Sequence, residues 1–180
     1  MDSILMKQSQ NLTMQMPMRK PILYIMCGIP GSGKSTLAEK LMRDKADEDI
    51  RYVSRDEIRF HLLKEGEDYF SHEDEVYDRF VGTIANTLID GFDVIADATH
   101  CNHGSRAKLY NYLRLWHMPP EDYDVVFIQM TTSFEECMKR NDLREGVTHV
   151  PKSVMKRMWA QSTYPTKHEF SNVKDVIYHE

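Results

Sequence analysis

Cysteines, long apolar runs and excess positive charge are all scarce in this sequence. Its three cysteines, Cys27, Cys101 and Cys137, are widely spaced and form no C-x-x-C pair. They therefore predict neither a disulfide framework nor a zinc site, and they favour a reducing, cytoplasmic compartment. No stretch approaches the roughly 20 apolar residues that a membrane span needs, so we expect no membrane association.

The charge balance restricts the partners further. The chain has 23 basic and 28 acidic side chains, which gives a net charge of −5. Broad, sequence-independent binding along a nucleic acid needs many cations that neutralise phosphates, so this balance argues against it. A contact limited to the end of a nucleic acid stays open.

The chain's length and its alternating pattern indicate one α/β domain. Residues 1–20 lack the continuous apolar centre of a signal peptide, so we predict a loosely ordered leader there and a single domain over residues 21–180. Apolar runs predict strands at 22–27, 51–54, 93–97, 124–130 and 173–178, and helical spacing predicts helices at 34–43, 56–63, 72–90, 104–116, 133–141 and after residue 151. This alternation indicates a three-layer α/β fold with a parallel sheet of about five strands.

A phosphate-binding motif lies between the first strand and the first helix. Residues 28–36 read G-I-P-G-S-G-K-S-T, which satisfies G-x-x-x-x-G-K-[ST] and predicts a P-loop NTPase fold. Glycines let successive backbone N–H groups surround phosphates, and the helix N-terminus adds partial positive charge. We therefore expect ATP binding by Gly28, Gly31, Ser32, Gly33, Lys34, Ser35 and Thr36, with Lys34 on the β- and γ-phosphates and Ser35 on Mg²⁺.

Two aspartates follow predicted strands. Asp56 comes just after the second strand, where it suits either a base that accepts a proton from an attacking hydroxyl or a helix cap. Arg59 lies one helical turn later, so a carboxylate and a guanidinium able to bind a phosphate lie on the same face of the predicted helix. Asp97 ends the third strand, where a carboxylate bears on Mg²⁺ in related folds; the alternative is a turn aspartate.

Further candidates carry less specific signals. Arg140 and Arg144 suit either a helical lid over ATP or a solvated helix end with cations near its C-terminus. We interpret His100, His103 and His149 as solvated loop residues, because they lack the spacing of a metal-binding helix pair. The aromatic residues Tyr69, Phe70 and Tyr77 are weak candidates for lining an acceptor pocket.

Taken together, these motifs resemble those of the phage-type polynucleotide 5′-kinases over roughly residues 20–160. The order is residues 28–36, Asp56-x-x-Arg59, Asp97, and Arg140-Asn141-x-x-Arg144. The resemblance implies that Asp56 is the general base for a 5′-hydroxyl, that Arg59 contacts the acceptor's phosphate, and that Arg140 and Arg144 grip the donor nucleotide. It also implies that Asp97 is the family's strand-end aspartate, and we group it with Arg59 on the acceptor side.

Three functions are compatible with these motifs. The first is an ATP- and Mg²⁺-dependent kinase for the 5′-hydroxyl of a polynucleotide or nucleotide, in which Lys34, Asp56 and Arg144 are catalytic. The second is a small-metabolite kinase acting on a nucleoside or sugar, which the acidic charge favours. The third is a nucleotide-binding switch or ATPase without an acceptor, which would need no base at Asp56.

Overall fold

The computed structural model describes residues 19–44 and 49–180, so residues 1–18 of the expected leader lie outside the described residues. Its strands are β1 Ile22–Cys27, β2 Ile50–Ser54, β3 Asp93–Asp97, β4 Asp124–Met130 and β5 Val173–His179. Its helices are α1 Lys34–Asp44, α2 Arg55–Leu62, α3 Glu73–Ile89, α4 His103–Leu115, α5 Phe134–Asp142 and α6 Lys152–Ala160. None of the helices in these described ranges has the length and apolar character needed to cross a bilayer.

All five strands are parallel, in the order β2-β3-β1-β4-β5. Their carboxyl ends therefore meet at one edge of the sheet, which is where ligands bind in open α/β folds. Because β3 lies between β2 and β1, and Ser54 pairs with Asp97, the ends of β2 and β3 are level with each other. This order brings the segments after β1, β2 and β3 side by side.

Apolar side chains cover both faces of the sheet. Leu23 and Ile25 of β1 belong to a core with α3 and α4, whereas Met26 belongs to a separate core that includes Ala38 of α1. Successive side chains of a strand point to opposite faces, so one strand contributes to both cores. The predicted three-layer P-loop fold, with a parallel sheet of about five strands, is confirmed.

The start of α2 settles one alternative for Asp56. Ser54 is the N-cap of this helix, because its Oγ accepts a hydrogen bond from the backbone N–H of Glu57 at 3.3 Å. Asp56 lies inside the first turn, so the idea that it caps the helix is wrong. A hydroxyl at the end of β2 suits the extended backbone that precedes a helix, which explains why Ser54 takes the role.

A buried ion pair attaches the segment before β5 to α4. Arg106 is fully buried, and its Nε and Nη2 donate to the two carboxylate oxygens of Glu169 at 2.7 and 3.0 Å. Its Nη1 also donates to the carbonyl oxygens of His100 and Thr163. These bonds satisfy the charge of a buried guanidinium and hold the chain beyond α6 near the carboxyl edge of the sheet.

Candidate active site

The loop between β1 and α1 packs closely against α5. Gly31 has φ +81°, and a Cβ atom there would lie 2.5 Å from the carbonyl oxygen of Cys137. Thr132 also donates from Oγ1 to the carbonyl oxygen of Ser32 at 2.9 Å. The hydroxyl of Ser32 is buried and has no hydrogen-bond partner among residues 19–44 and 49–180, so the loop offers one more polar group for a phosphate.

Lys34 lies at the centre of the predicted site residues. Its side chain is buried, and Nζ donates to the carbonyl oxygen of Ile29 at 3.0 Å. Burial lowers the pKa of Lys34, the negative charges of Asp97 and Asp56 raise it, and the positive charge of Arg144 lowers it again. The structure therefore brings Asp56, Asp97 and Arg144 within electrostatic range of one ammonium group.

Asp97 lies beside Ser35. The Ser35 hydroxyl donates to Asp97 Oδ2 at 2.6 Å, and the Tyr52 hydroxyl donates to the same oxygen at 2.8 Å. Burial and the charge of Asp97 raise the pKa of Tyr52, so its phenol remains a donor. A carboxylate and a hydroxyl oxygen side by side are ligands that Mg²⁺ prefers, so this pair fits the ion that P-loop folds bind. These contacts connect Asp97 to the P-loop rather than to Arg59.

Asp56 and Arg59 form a network with Tyr69. Arg59 is only 4% exposed, and its Nη1 forms an ion pair with Asp56 Oδ1 and donates to the Tyr69 hydroxyl at 2.8 Å. Tyr69 in turn donates to Asp56 Oδ1 at 2.8 Å, and burial and the charge of Asp56 raise the pKa of Tyr69 to about 12. Within the described chain, Asp56 Oδ2 accepts no hydrogen bond, and the side chain is 64% exposed. One carboxylate oxygen is fixed and the other is available.

Glu73, at the start of α3, joins two arginines of α2. Its Oε2 accepts from Arg59 Nη2 at 2.8 Å, and its Oε1 forms an ion pair with Arg55. Burial lowers the pKa of Arg55, and the positive charge of Arg59 lowers it further. Sequence reasoning missed both Arg55 and Glu73, because 14 residues separate Glu73 from Arg59 and no local spacing indicates that they meet.

The two predicted lid arginines occupy different places: Arg140 lies in α5, beside the P-loop, and Arg144 lies in the loop after α5. Arg140 donates from Nε to Glu136 Oε1 at 2.9 Å and from Nη1 to the carbonyl oxygen of Gly31 at 3.4 Å. Arg144 is exposed in the loop after α5. Buried Asn141 closes that loop, since its side chain donates to the carbonyl oxygen of Val150 at 2.8 Å and accepts from the backbone N–H of Val150 at 3.0 Å.

The histidine prediction is wrong for His100. This residue is 4% exposed and has φ +36°, and burial lowers the pKa of its imidazole to about 3, with a further contribution from the charge of Arg55. His103 and His149 have exposed side chains, as expected, but His103 is the first residue of α4 and not a loop residue.

The three aromatic candidates for an acceptor pocket do not lie together in the structure. Tyr69 belongs to the Asp56–Arg59 network and Phe70 is exposed beside it, whereas Tyr77 is buried in the core that α3 forms with the sheet.

Fold and site together define a P-loop nucleotide-binding domain. A family model described as an AAA domain matches residues 23–165, so the chain belongs to this AAA domain family. No curated protein matches the sequence significantly. The expected likeness to P-loop polynucleotide kinases is confirmed at the level of the domain.

Three solved structures illustrate the likeness. A chain of the Pnkp1/Rnl/Hen1 RNA repair complex is 27% identical with a TM-score of 0.65; the match covers 84% of this chain and 47% of that one, so this chain spans about half of that relative's length. A fungal RNA kinase is 14% identical (TM-score 0.59, 89% and 38% covered). A sugar kinase from Janibacter sp. is 18% identical (TM-score 0.57, 87% and 86% covered). The last two likenesses extend to the fold alone.

Proposed function

We propose that this protein is an ATP-dependent kinase that transfers the γ-phosphate to the 5′-hydroxyl of a polynucleotide or nucleotide. The observation that carries the proposal is the Asp56–Arg59 pair. It places a carboxylate with one available oxygen next to a guanidinium that could bind a phosphate. Because the charge of Asp56 acts on Lys34, the pair lies within electrostatic range of the P-loop. A base, an anion-binding group and a donor site thus occur together.

On the donor side, the P-loop and the two lid arginines would bind ATP. Lys34 and Arg144 would neutralise charge on the transferring group, and Arg140 would hold the nucleotide against the loop it already contacts. Ser35 and Asp97 would hold Mg²⁺, which supplies positive charge to the phosphate oxygens. We thus assign Asp97 to the metal side of the site, in place of the acceptor side.

On the acceptor side, Asp56 would orient the hydroxyl and accept its proton at Oδ2 as the oxygen attacks phosphorus. The new oxygen–phosphorus bond forms as the bond to the leaving oxygen of ADP breaks. The Tyr69 and Arg59 contacts on Oδ1 keep the carboxylate aligned for this transfer. Catalysis of this kind rests on positioning and electrostatics, without a covalent enzyme intermediate.

The nature of the acceptor rests on Arg59. A guanidinium fork matches a phosphate group, and its pairing with Asp56 and Glu73 would have to open in part for an acceptor phosphate to bind. The second candidate is a small-metabolite kinase, which the net charge of −5 favours. We also expect a reducing, cytoplasmic environment, since the three cysteines are unpaired and buried.

The test of this proposal compares two acceptors that differ by one phosphate. If Arg59 binds that phosphate, Arg59→Ala should lower kcat/KM about 10- to 150-fold for a 5′-hydroxyl nucleoside 3′-phosphate, and much less for the matching nucleoside. Arg59→Lys should recover only part of the loss, because a point charge cannot reproduce the planar fork.

The unphosphorylated acceptor serves as the internal control for folding, since misfolding would reduce both rates equally. An equal loss on both acceptors would mean that Arg59 supports Asp56 or the fold, and it would favour the small-metabolite kinase.

A further inference from the structure

Phe70 is a large apolar side chain that remains open to solvent next to the candidate site. It lies between α2 and α3 and is 68% exposed, although burying an aromatic ring is normally favourable. Its ring meets Tyr69 edge-on, with the centroids 4.8 Å apart and the planes at 89°. Phe60 of α2 also contacts Tyr69, with ring centroids 6.2 Å apart, and is 42% exposed.

Tyr69 ties this aromatic cluster to the Asp56–Arg59 network. Its hydroxyl donates a hydrogen bond to Asp56 and accepts one from Arg59, and its ring centroid lies 4.3 Å from the Arg59 guanidinium carbon. The Phe70 ring centroid is 5.8 Å from the same carbon. An exposed aromatic ring, a phosphate-binding arginine and the proposed base therefore lie within the dimensions of a single nucleotide.

We propose that Phe70 stacks on the 5′-terminal base of the acceptor strand. The proposal rests on the function proposed above and specifies how that site recognises a nucleotide. Aromatic side chains bind unpaired bases by stacking, and they tolerate any sequence because every base has a π-face. Stacking also suits an acidic protein, because it adds affinity for a strand end without many cations.

The rigid support of Tyr69 strengthens this assignment. A base that stacks on a fixed ring loses less entropy than one that orders a mobile loop. The hydrogen bonds of Tyr69 hold its ring in place, and Phe70 packs edge-on against that ring. With Arg59 on the phosphate and Phe70 on the base, the hydroxyl is directed toward Asp56.

The experiment is a double-mutant cycle between the protein and the acceptor. Phe70→Leu keeps an apolar side chain but removes the aromatic face, and an abasic 5′-terminal residue removes the base. On the intact 5′-hydroxyl oligonucleotide, Phe70→Leu should lower kcat/KM about tenfold through KM. On the abasic oligonucleotide it should have almost no effect, and Phe70→Trp should restore activity on the intact one. Tyr112→Leu, a partly exposed aromatic position on α4, is the matched control and should change neither rate.

A direct binding signal accompanies the kinetics. The fluorescence of an oligonucleotide with 5′-terminal 2-aminopurine should change when it binds the wild-type protein, because the base exchanges its neighbouring base for Phe70, and Phe70→Leu should remove most of that change. Equal losses on intact and abasic acceptors would overturn the proposal and make Phe70 a support for Tyr69. No loss on either acceptor would also overturn it. If the wild-type protein phosphorylates no oligonucleotide, the proposed function itself fails and this inference fails with it.

Discussion

Asp56 differs from its neighbouring carboxylate Glu57 in its contacts, although both are exposed in the first turn of α2. Asp56 Oδ1 accepts from Tyr69 and Arg59, whereas Glu57 interacts through its backbone: its N–H donates to the cap Ser54, and its carbonyl oxygen lies 2.8 Å from His61 Nδ1. We expect Asp56→Asn to lower kcat about 10²- to 10⁴-fold, because it removes the group that accepts the proton. The KM for ATP and the melting temperature should stay close to wild type, since Ser54 still caps the helix, the amide oxygen can still accept from Arg59, and Glu73 still pairs with Arg59.

Initial rates at saturating substrate, together with a thermal melt, measure this effect. Glu57→Gln is the control and should leave kcat unchanged. Wild-type turnover by Asp56→Asn would refute its role as the base.

Single residues also show which parts of the site the sequence could predict. The P-loop residues and the Asp56–Arg59 pair were predictable, because each depends on short spacing within one loop or helix turn. Glu73 and Tyr69 were not assigned roles in the network, because their contacts with Arg59 cross a loop. The burial of His100 could not be predicted, because Phe80, whose ring centroid lies 6.1 Å from that of the imidazole, belongs to a distant part of the sequence, on α3.

At the scale of elements, the loop that follows α5 depends on one side chain. Asn141 is buried and makes both of its hydrogen bonds with the backbone of Val150, which fixes the segment that carries Arg144. Asn141→Ala should leave these backbone groups without partners, at a cost of about 1–3 kcal/mol in the free energy of unfolding. We also expect the KM for ATP to rise several-fold while the KM for the acceptor stays constant.

Urea unfolding and separate titrations of ATP and acceptor measure the two effects. Asn86→Ala, at an exposed position on α3, is the control. An unchanged KM for ATP in a destabilised Asn141→Ala variant would show that this loop does not act as a lid.

Helices and strands were predicted to within about two residues, because their signals are periodic and local. The strands β1, β3 and β4 have the same first and last residues as the ranges expected from apolar runs. The start of α2 was misplaced by one residue because Ser54 and Asp56 are both good caps, and only the observed hydrogen bond distinguishes them.

At the scale of the whole molecule, the sheet order explains why motifs far apart in sequence form one site. The chain visits the P-loop, Asp56 and Asp97 in succession, and the order β2-β3-β1 places their strand ends side by side. Composition and periodicity predicted a parallel sheet but not this order, because the pairing of strands depends on long-range packing.

The most direct test of the central claim is the identity of the hydroxyl that receives the phosphate. The wild-type protein should be incubated with Mg²⁺, ATP labelled at the γ-phosphate, and two oligonucleotides that differ only in carrying a 5′-hydroxyl or a 5′-phosphate. Nucleosides and sugars complete the series. We predict label on the 5′-hydroxyl oligonucleotide and none on its 5′-phosphorylated counterpart. Label on a nucleoside or sugar alone, or ATP hydrolysis without a labelled acceptor, would contradict a polynucleotide 5′-hydroxyl kinase.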